Sequence, residues 1–156
     1  MRRAQAALGG AGDAVGWRPR CRLRWVLAET ALLHGDPLGA ARAAREALVG
    51  AEAAAAPRHV AKSLLFLGVA EATAGRDAAA GTLERAATLA ASLGALPLVW
   101  PARAVLGALR AEREPAAGAR DLAEARRTVH TLAAGLPPVL RADWLARPDM
   151  AALLAS

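Results

Sequence analysis

Apolar side chains recur along most of the chain at the three-to-four-residue spacing of an α-helix. Val60, Leu64 and Leu67 form one such stripe, and a stripe of this kind gives a helix one apolar face that it buries against a neighbour. No segment shows the strict alternation of apolar and polar residues that is typical of a half-buried strand. The pattern therefore predicts an all-α fold, with helices at residues 20–34, 37–53, 58–74, 78–93, 98–113, 116–134, 139–146 and 149–155.

Turn-forming residues separate these stripes. In the segment Gly35-Asp36-Pro37, glycine closes one helix, aspartate caps the next and proline opens it. Gly75 and Asp77 repeat this arrangement less strictly. The short connections predict that consecutive helices form hairpins.

Prolines mark a repeat along the chain. Pro57, Pro97 and Pro137 stand forty residues apart, and a fixed period of this size is typical of a stacked array of structural repeats. Leu122 lies only thirty-nine residues after Leu83, so we expect the inner turn of the third unit to be one residue shorter. Small residues that would let two helices approach closely occur in the middle of each first helix, at Ala28, Gly68 and Ala108.

The first sixteen residues continue this repeat in part. The segment "RRAQAAL" at residues 2–8 lies forty residues before "RAAREAL" at residues 42–48. Residues 1–16 are therefore interpreted either as part of a preceding repeat or as an N-terminal cap, and residues 17–156 as the helical-repeat domain. Under the first interpretation, Trp17 and Pro19 fall in the turn between two units.

A repeat that is incomplete at its N-terminal edge predicts self-association. The helix at residues 20–34 would lack a full neighbour on the side of Trp25, Leu32 and Leu33. An exposed apolar face of roughly several hundred Å² tends to find a partner, and two copies that pair edge to edge would form a symmetric homodimer. In the alternative, residues 2–8 fold back and cover this face within one chain.

The small residue in each first helix, the glycine at its end and the alanine-rich second helices carry a family resemblance. A helix pair of this kind resembles the tetratricopeptide family, whose usual unit has thirty-four residues. The longer unit is similar to arrays at the C-terminal end of large actinobacterial signal-transduction ATPases, including LuxR-type regulators and ATPases fused to adenylate cyclase domains. The ending "LRADWLARPDMAALL" resembles the close of those arrays.

This resemblance covers about residues 20–155. It implies a right-handed α-solenoid of tetratricopeptide-like hairpins, closed by a short C-terminal helix pair. It also implies a non-catalytic interaction or sensing arm of a larger regulatory protein, whose ATPase, cyclase or DNA-binding domains lie elsewhere.

The net charge of +6 comes from 20 basic and 14 acidic residues. Lys62 is the only lysine, and the absence of Ile, Asn and Tyr indicates a GC-rich gene. In such a gene arginine replaces lysine without selection for a basic surface, so the charge alone indicates little about a nucleic-acid or membrane partner.

Cys21 is the only cysteine, which excludes an internal disulfide and predicts a reducing compartment, the cytoplasm. The N-terminus has no sustained apolar run, so we expect no signal peptide. Residues 86–102 carry no charge, but Gly94, Pro97 and Pro101 would interrupt a helix that spans a membrane. We therefore expect two helix ends and a turn there, and no membrane partner.

Motifs for catalysis, metals and cofactors are weak. The segment "APRHVAKS" at residues 56–63 ends like a phosphate loop, but Ala56 and Ala61 stand where that loop requires glycines. The three histidines have no second ligand at helical spacing, whereas a zinc site needs several ligands that converge. We therefore expect no cofactor, no metal and no enzymatic activity, and we interpret Lys62 as a solvated helix residue.

The first helices of the hairpins are expected to form the binding groove for a protein or peptide partner. Candidate binding residues are the polar side chains on helices that otherwise face inward, namely Arg24, Glu29, Glu71, Arg103 and Arg110. For Glu71, the competing interpretation is a surface carboxylate paired with a nearby arginine.

An alternative function is nucleic-acid binding through a basic cluster that consists of Arg18, Arg20, Arg22 and Arg24. Trp17 and Trp25 flank these arginines, so arginines could contact phosphates while a tryptophan stacks on a base. The competing interpretation places Trp25 in the core and leaves the arginines in solvent.

Overall fold

The computed structural model describes residues 16–155. Within that range the chain forms eight α-helices and no strand, so the all-α fold predicted from the apolar spacing is confirmed. The predicted partial repeat or cap at residues 1–16 lies outside the described residues, apart from Gly16. The helices are α1 (Trp17–Leu33), α2 (Pro37–Ala53), α3 (Pro57–Thr73), α4 (Ala79–Ser92), α5 (Leu96–Arg110), α6 (Pro115–Ala134), α7 (Pro138–Leu145) and α8 (Pro148–Ala155).

Proline positions explain where the helix bounds differ from the prediction. Trp17 and Pro19, expected in a turn, lie in the first turn of α1, where backbone N–H groups have no intrahelical acceptor and a proline removes no hydrogen bond. The uncharged stretch is divided as predicted, because α4 ends at Ser92 and α5 begins at Leu96. Pro101, however, lies inside α5.

Helices α1 to α6 pack against their neighbours in chain order, and α3 also contacts α1 and α5. The turns that reverse the chain are tight. Gly35 and Gly75 end α1 and α3 with φ of 72° and 64°, a left-handed conformation that glycine adopts without a Cβ clash. Asp36 caps α2, because its carboxylate accepts a hydrogen bond of 2.8 Å from the Gly39 N–H.

Burial recurs from hairpin to hairpin, but not always at forty residues. The helix α3 follows α1 by forty residues, and both have 17 residues. The inner turns of the three hairpins are residues 34–36, 74–78 and 111–114, so the third is one residue shorter than the second and one residue longer than the first. The buried positions of α2 recur on α4 thirty-nine residues later, at Ala40, Ala44, Ala47 and Ala51 on α2 and at Ala79, Leu83, Ala86 and Ala90 on α4.

The forty-residue step of the prolines hides this shift. Pro57 is the first residue of α3, whereas Pro97 is the second residue of α5, and both positions tolerate proline.

The closest contacts between helices allow only glycine at certain positions. A Cβ on Gly68 would lie 2.6 Å from Leu83 Cγ, and one on Gly107 would lie 3.0 Å from the Gly118 carbonyl oxygen. The close approach expected at Ala108 therefore occurs at Gly107.

The C-terminal helices cover the last face of α6. Met150 and Leu153 of α8 pack against Ala125 and Val129 of α6. This contact buries apolar surface that α6 would otherwise expose to water. Between residues 16 and 155, no helix has the length and apolar character needed to cross a membrane.

The N-terminal edge is less apolar than the sequence suggested. Trp25 donates its indole N–H to Ser63 Oγ of α3, and Leu32 packs against the cluster shared by α1, α2 and α3. The expectation that both residues lie on an uncovered side of α1 was therefore wrong, because that side of the helix faces the next hairpin. Leu33, at the end of α1, is 80% exposed.

Candidate functional site

A groove of about 630 Å³ runs between α1 and α3 and ends at the start of α5. Its position follows from the packing, since α3 contacts both α1 and α5. We call it the α1–α3 groove. Its polar and aromatic lining residues are Arg22, Trp25 and Glu29 of α1, and Arg58, His59, Lys62 and Phe66 of α3.

Trp25 forms the floor of this groove. Its side chain is buried, the residue is 8% exposed, and its indole N–H donates a hydrogen bond of 3.0 Å to Ser63. Lys62 Nζ lies 4.4 Å from the centroid of the Trp25 ring and 5.9 Å from that of Phe66, within cation–π range. Lys62 is therefore held against aromatic rings at the groove, and is not a freely solvated side chain.

His59 lies beside Trp25, with ring centroids 5.3 Å apart, and makes an edge contact with Trp17 at 4.8 Å. Burial lowers the pKa of His59 below its usual 6.5, and the positive charges of Arg18, Arg22 and Lys62 lower it further. Cations from both helices therefore act on one position in the groove.

These cations occupy equivalent positions on two successive hairpins. Arg58 follows Arg18 by forty residues, and Lys62 follows Arg22 by the same step. Since α1 and α3 begin and end in that same register, the packed helices bring the two pairs to one face. Sequence reasoning missed Arg58 and Lys62, although the forty-residue step, applied to basic residues, contained the signal.

The four arginines of α1 do not form the single patch that nucleic-acid binding was expected to use. Arg18 and Arg22 act on His59 at the α1–α3 groove, whereas Arg20 and Arg24 line a different groove of about 720 Å³ between α1 and α2. Residues two apart on a helix point in nearly opposite directions, which explains the division.

We call this second cavity the edge groove. Its charges are already paired in part, since Arg24 forms an ion pair of 2.6 Å with Glu46 of α2. Cys21 also lines it, with Sγ 3.5 Å from the Ala47 carbonyl oxygen. Burial raises the pKa of the Cys21 thiol against the opposing effect of Arg20, so this cysteine is not activated as a nucleophile.

Of the five residues nominated for a binding groove, Glu29 lies in the α1–α3 groove. Glu71 is buried and accepts hydrogen bonds of 2.8 Å from Arg45 of α2 and from Thr82 of α4. It is therefore paired with an arginine, as one interpretation expected, but it lies in the interior and not on a surface or a groove wall.

Arg103 and Arg110 belong to an ion-pair network that joins three helices. Both donate to Asp121 of α6, at 2.8 and 2.9 Å. Arg110 also pairs with Glu84 of α4, and Arg103 Nε lies 3.0 Å from Glu124 of α6. Their charges are neutralised by carboxylates of neighbouring helices, so these side chains fasten α4, α5 and α6 together.

The segment that ends like a phosphate loop is helical, because Pro57 to Ser63 form the start of α3. Among residues 16–155, no cluster of three His, Cys, Asp or Glu side chains could hold a metal ion.

Comparison of the chain with protein-family models, with curated proteins and with solved structures returned no significant match. The candidate site is therefore defined by the geometry of the α1–α3 groove alone.

Proposed function

We propose that this chain is a non-catalytic interaction module that binds a protein or peptide partner in the α1–α3 groove. We further propose that its hairpins stack as a right-handed α-solenoid of tetratricopeptide-like units. The observation that carries the proposal is the groove itself, which places three cations, aromatic rings and an exposed valine on one surface, with a fourth cation, Arg18, acting on its histidine.

Support for a stacked array comes from the order of packing. Helices pack with their chain neighbours, and α3 contacts both α1 and α5. Both helices of one hairpin therefore contact the first helix of the next, and the second helix contributes most of that contact, as in repeat proteins whose units contact only adjacent units. The starts of the first helices α1, α3 and α5, and the buried positions, also recur at thirty-nine or forty residues.

Support for a binding role comes from the mixed character of the groove. Val26 is 56% exposed at its wall, and Phe66 and Leu98 also line it. Peptide-binding grooves combine apolar contact area with a few oriented polar groups. The groove offers both, and one of its cations, Lys62, is held in place by contacts with the Trp25 and Phe66 rings.

The resemblance to actinobacterial regulators extends this proposal to the parent protein. We propose that the module is the C-terminal part of a larger cytoplasmic signal-transduction protein. The coding sequence upstream of Met1 tests it. An ATPase or cyclase domain in the same reading frame is expected, and an upstream sequence that encodes neither would contradict the proposal.

Peptide binding is testable without a known partner. We would select a displayed library of random peptides on the immobilised chain and measure the affinity of the enriched sequences. We expect binders whose affinity falls about tenfold in Val26→Gln, because the substitution removes an apolar contact without changing charge.

Val49→Gln is the matched control. Val49 is also an exposed valine, but it lines the edge groove and not the α1–α3 groove. Binders that respond to neither substitution, or to both equally, would contradict a site in the α1–α3 groove. A library that enriches no sequence would contradict peptide binding altogether.

A further inference from the structure

The charges of the α1–α3 groove are unbalanced. Glu29 is the one carboxylate in the described lining, against Arg22, Arg58 and Lys62, and Arg18 acts on the same region through His59. Among residues 16–155, no ion pair joins any of these four cations to a carboxylate. Other interhelical arginines of the chain, such as Arg103, are paired with acids.

These cations are oriented by contacts that do not neutralise them. The Arg18 guanidinium lies 4.8 Å from the Trp17 ring centroid, and Lys62 lies over Trp25. Arg58 donates a hydrogen bond of 3.3 Å to the Leu93 carbonyl oxygen. Aromatic rings and a carbonyl orient a cation but leave its net charge, so the groove keeps a positive potential that favours an anionic ligand.

The spacing of the cations limits the kind of anion that fits. Residues four apart on a helix are about 6 Å apart along its axis, and packed helices lie about 8–10 Å apart. In a bound helical segment, two carboxylates one turn apart have the same spacing of about 6 Å as two cations one turn apart on α1 or on α3. Val26, one helical turn beyond Arg22 on α1, and Leu98 line the same groove and offer an apolar contact next to the second of these acids.

Nucleic acid fits this surface less well. Single strands gain affinity when bases stack on open aromatic faces, but Trp25 is buried, bonded to Ser63 and covered by Lys62. Trp17 is occupied by the Arg18 and His59 contacts. Glu29 at the rim would also repel a phosphate backbone.

We infer that the α1–α3 groove recognises an internal acidic segment of a partner protein, with two carboxylates one helical turn apart and an apolar side chain one further turn along the segment. The inference rests on the proposed function and adds the chemistry of the partner. The carboxylates lie against the pairs Arg18–Arg58 and Arg22–Lys62, and the apolar side chain lies against Val26.

The test uses the full chain and a set of short labelled peptides with amidated C-termini, so that no terminal carboxylate contributes. Each peptide carries two glutamates, two glutamines or two lysines four residues apart, with a leucine four residues after the second of them. Fluorescence polarisation should show about tenfold tighter binding of the glutamate peptide than of the glutamine peptide. That difference should shrink at higher salt, because exposed charges are screened.

Charge reversal provides the decisive variant. Arg22→Glu with Arg58→Glu changes two exposed side chains of the groove, and we expect it to abolish binding of the glutamate peptide and to permit binding of the lysine peptide. Gain of the lysine peptide shows that the variant is folded. Arg120→Glu with Arg127→Glu, two exposed arginines of α6, makes the same charge change elsewhere and should bind as the wild type does.

Three results would overturn the inference. They are equal binding of glutamate and glutamine peptides, no binding of any glutamate peptide whichever apolar residue stands in place of the leucine, and tighter binding of a single-stranded oligonucleotide of equal charge. If library peptides bind in a Val26-dependent way but show no preference for acids, the proposed function stands and only this inference fails.

Discussion

The imidazole of His59 lies between two indoles and beside three cations, and its pKa is lowered by burial first and by Arg18, Arg22 and Lys62 in addition. The unfolded chain therefore binds a proton to His59 at higher pH than the folded chain does. Stability must fall as the pH drops through 6.5 toward the lowered pKa, because protonation favours the unfolded state there.

His59→Gln tests this dependence. We expect the loss of unfolding free energy between about pH 8 and pH 5.5 to be smaller in the variant than in the wild type, since this titrating group is gone. Urea denaturation at several pH values measures it. His34→Gln, at the exposed end of α1, should keep the wild-type dependence, and an unchanged slope in His59→Gln would contradict the assignment.

Asp121 is the carboxylate that joins Arg103 and Arg110, and it is 5% exposed. Asp121→Asn keeps the shape but removes the charge, and Glu84 and Glu124 compensate only part of the loss. We expect the free energy of unfolding to fall by about 2–4 kcal/mol.

Asp149→Asn is the control for this substitution. Asp149 pairs with Arg147 at the surface, where both side chains are largely exposed, so its loss should cost less than about 1 kcal/mol. Equal effects of the two substitutions in urea denaturation would show that the Asp121 network does not fasten the helices.

Helices α5 and α6 approach so closely that only glycine fits at their crossing. A Cβ on Gly107 would lie 3.0 Å from the backbone of Gly118 and of Leu122. Gly107→Ala should therefore destabilise the protein by about 1–3 kcal/mol through overpacking.

Gly81→Ala should have the opposite effect and stabilise the protein. Gly81 lies on an exposed face of α4, and a Cβ there meets no atom within 4 Å, so alanine should add about 0.5–1 kcal/mol of helix stability. Thermal unfolding of both variants tests the pair. Stabilisation by both substitutions would mean that α5 and α6 are farther apart than described.

The turn between α2 and α3 differs from the turns after α1 and α3. Ala55 adopts a φ of 47° where the other turns place glycine, as at Gly75 with 64°. Since a Cβ disfavours this conformation by about 1–2 kcal/mol, Ala55→Gly should raise the unfolding midpoint in urea and Gly75→Ala should lower it. Changes in the same direction would contradict the left-handed geometry.

Helix positions in this chain could be predicted because their signals are local. The Asp36 cap and the left-handed Gly35 depend on residues within one turn, and such signals act before any tertiary contact forms. The predicted start of α1 was three residues too late. A proline in the first turn of a helix cannot be distinguished in the sequence from a proline in the preceding loop.

Helix α1 carries arginines at two positions where α3, forty residues later, carries apolar residues. Arg20 and Arg24 stand forty residues before Val60 and Leu64. Val60 packs against a cluster that contains Ala47 and Ala51 of α2. The dimer predicted from the sequence stays a prediction, but its apolar basis is smaller now that Trp25 and Leu32 face the next hairpin.

Replacing Arg20 and Arg24 of α1 by the residues that α3 carries at the equivalent positions should promote self-association. We expect Arg20→Val with Arg24→Leu to form a dimer at lower concentration than the wild type, because the substitutions create an apolar face at the edge groove. Light scattering across a concentration series measures this, with Arg120→Val and Arg127→Leu on α6 as the control. A double variant that stays monomeric at every concentration would contradict an edge role for these arginines.

The sequence by itself determined the helical class, the turns and the approximate repeat, since apolar spacing, caps, glycines and prolines act within a few residues. It also contained the step that relates Arg18 to Arg58, although not the position of Arg18, Arg22 and Lys62 around His59. Only the tertiary structure decided which polar side chains face a groove and which are paired inside.

The reason is geometric. Each residue turns a helix by about 100°, and Glu71 follows Glu29 by forty-two residues, two more than the step from α1 to α3, so the two side chains face nearly opposite directions on equivalent helices. Glu29 and Glu71 both read from the sequence as acids on inward-facing helices, yet one lines the α1–α3 groove and the other is buried against Arg45. The rotation of each helix is decided by close contacts such as Gly68 against Leu83, which join residues that no local pattern relates.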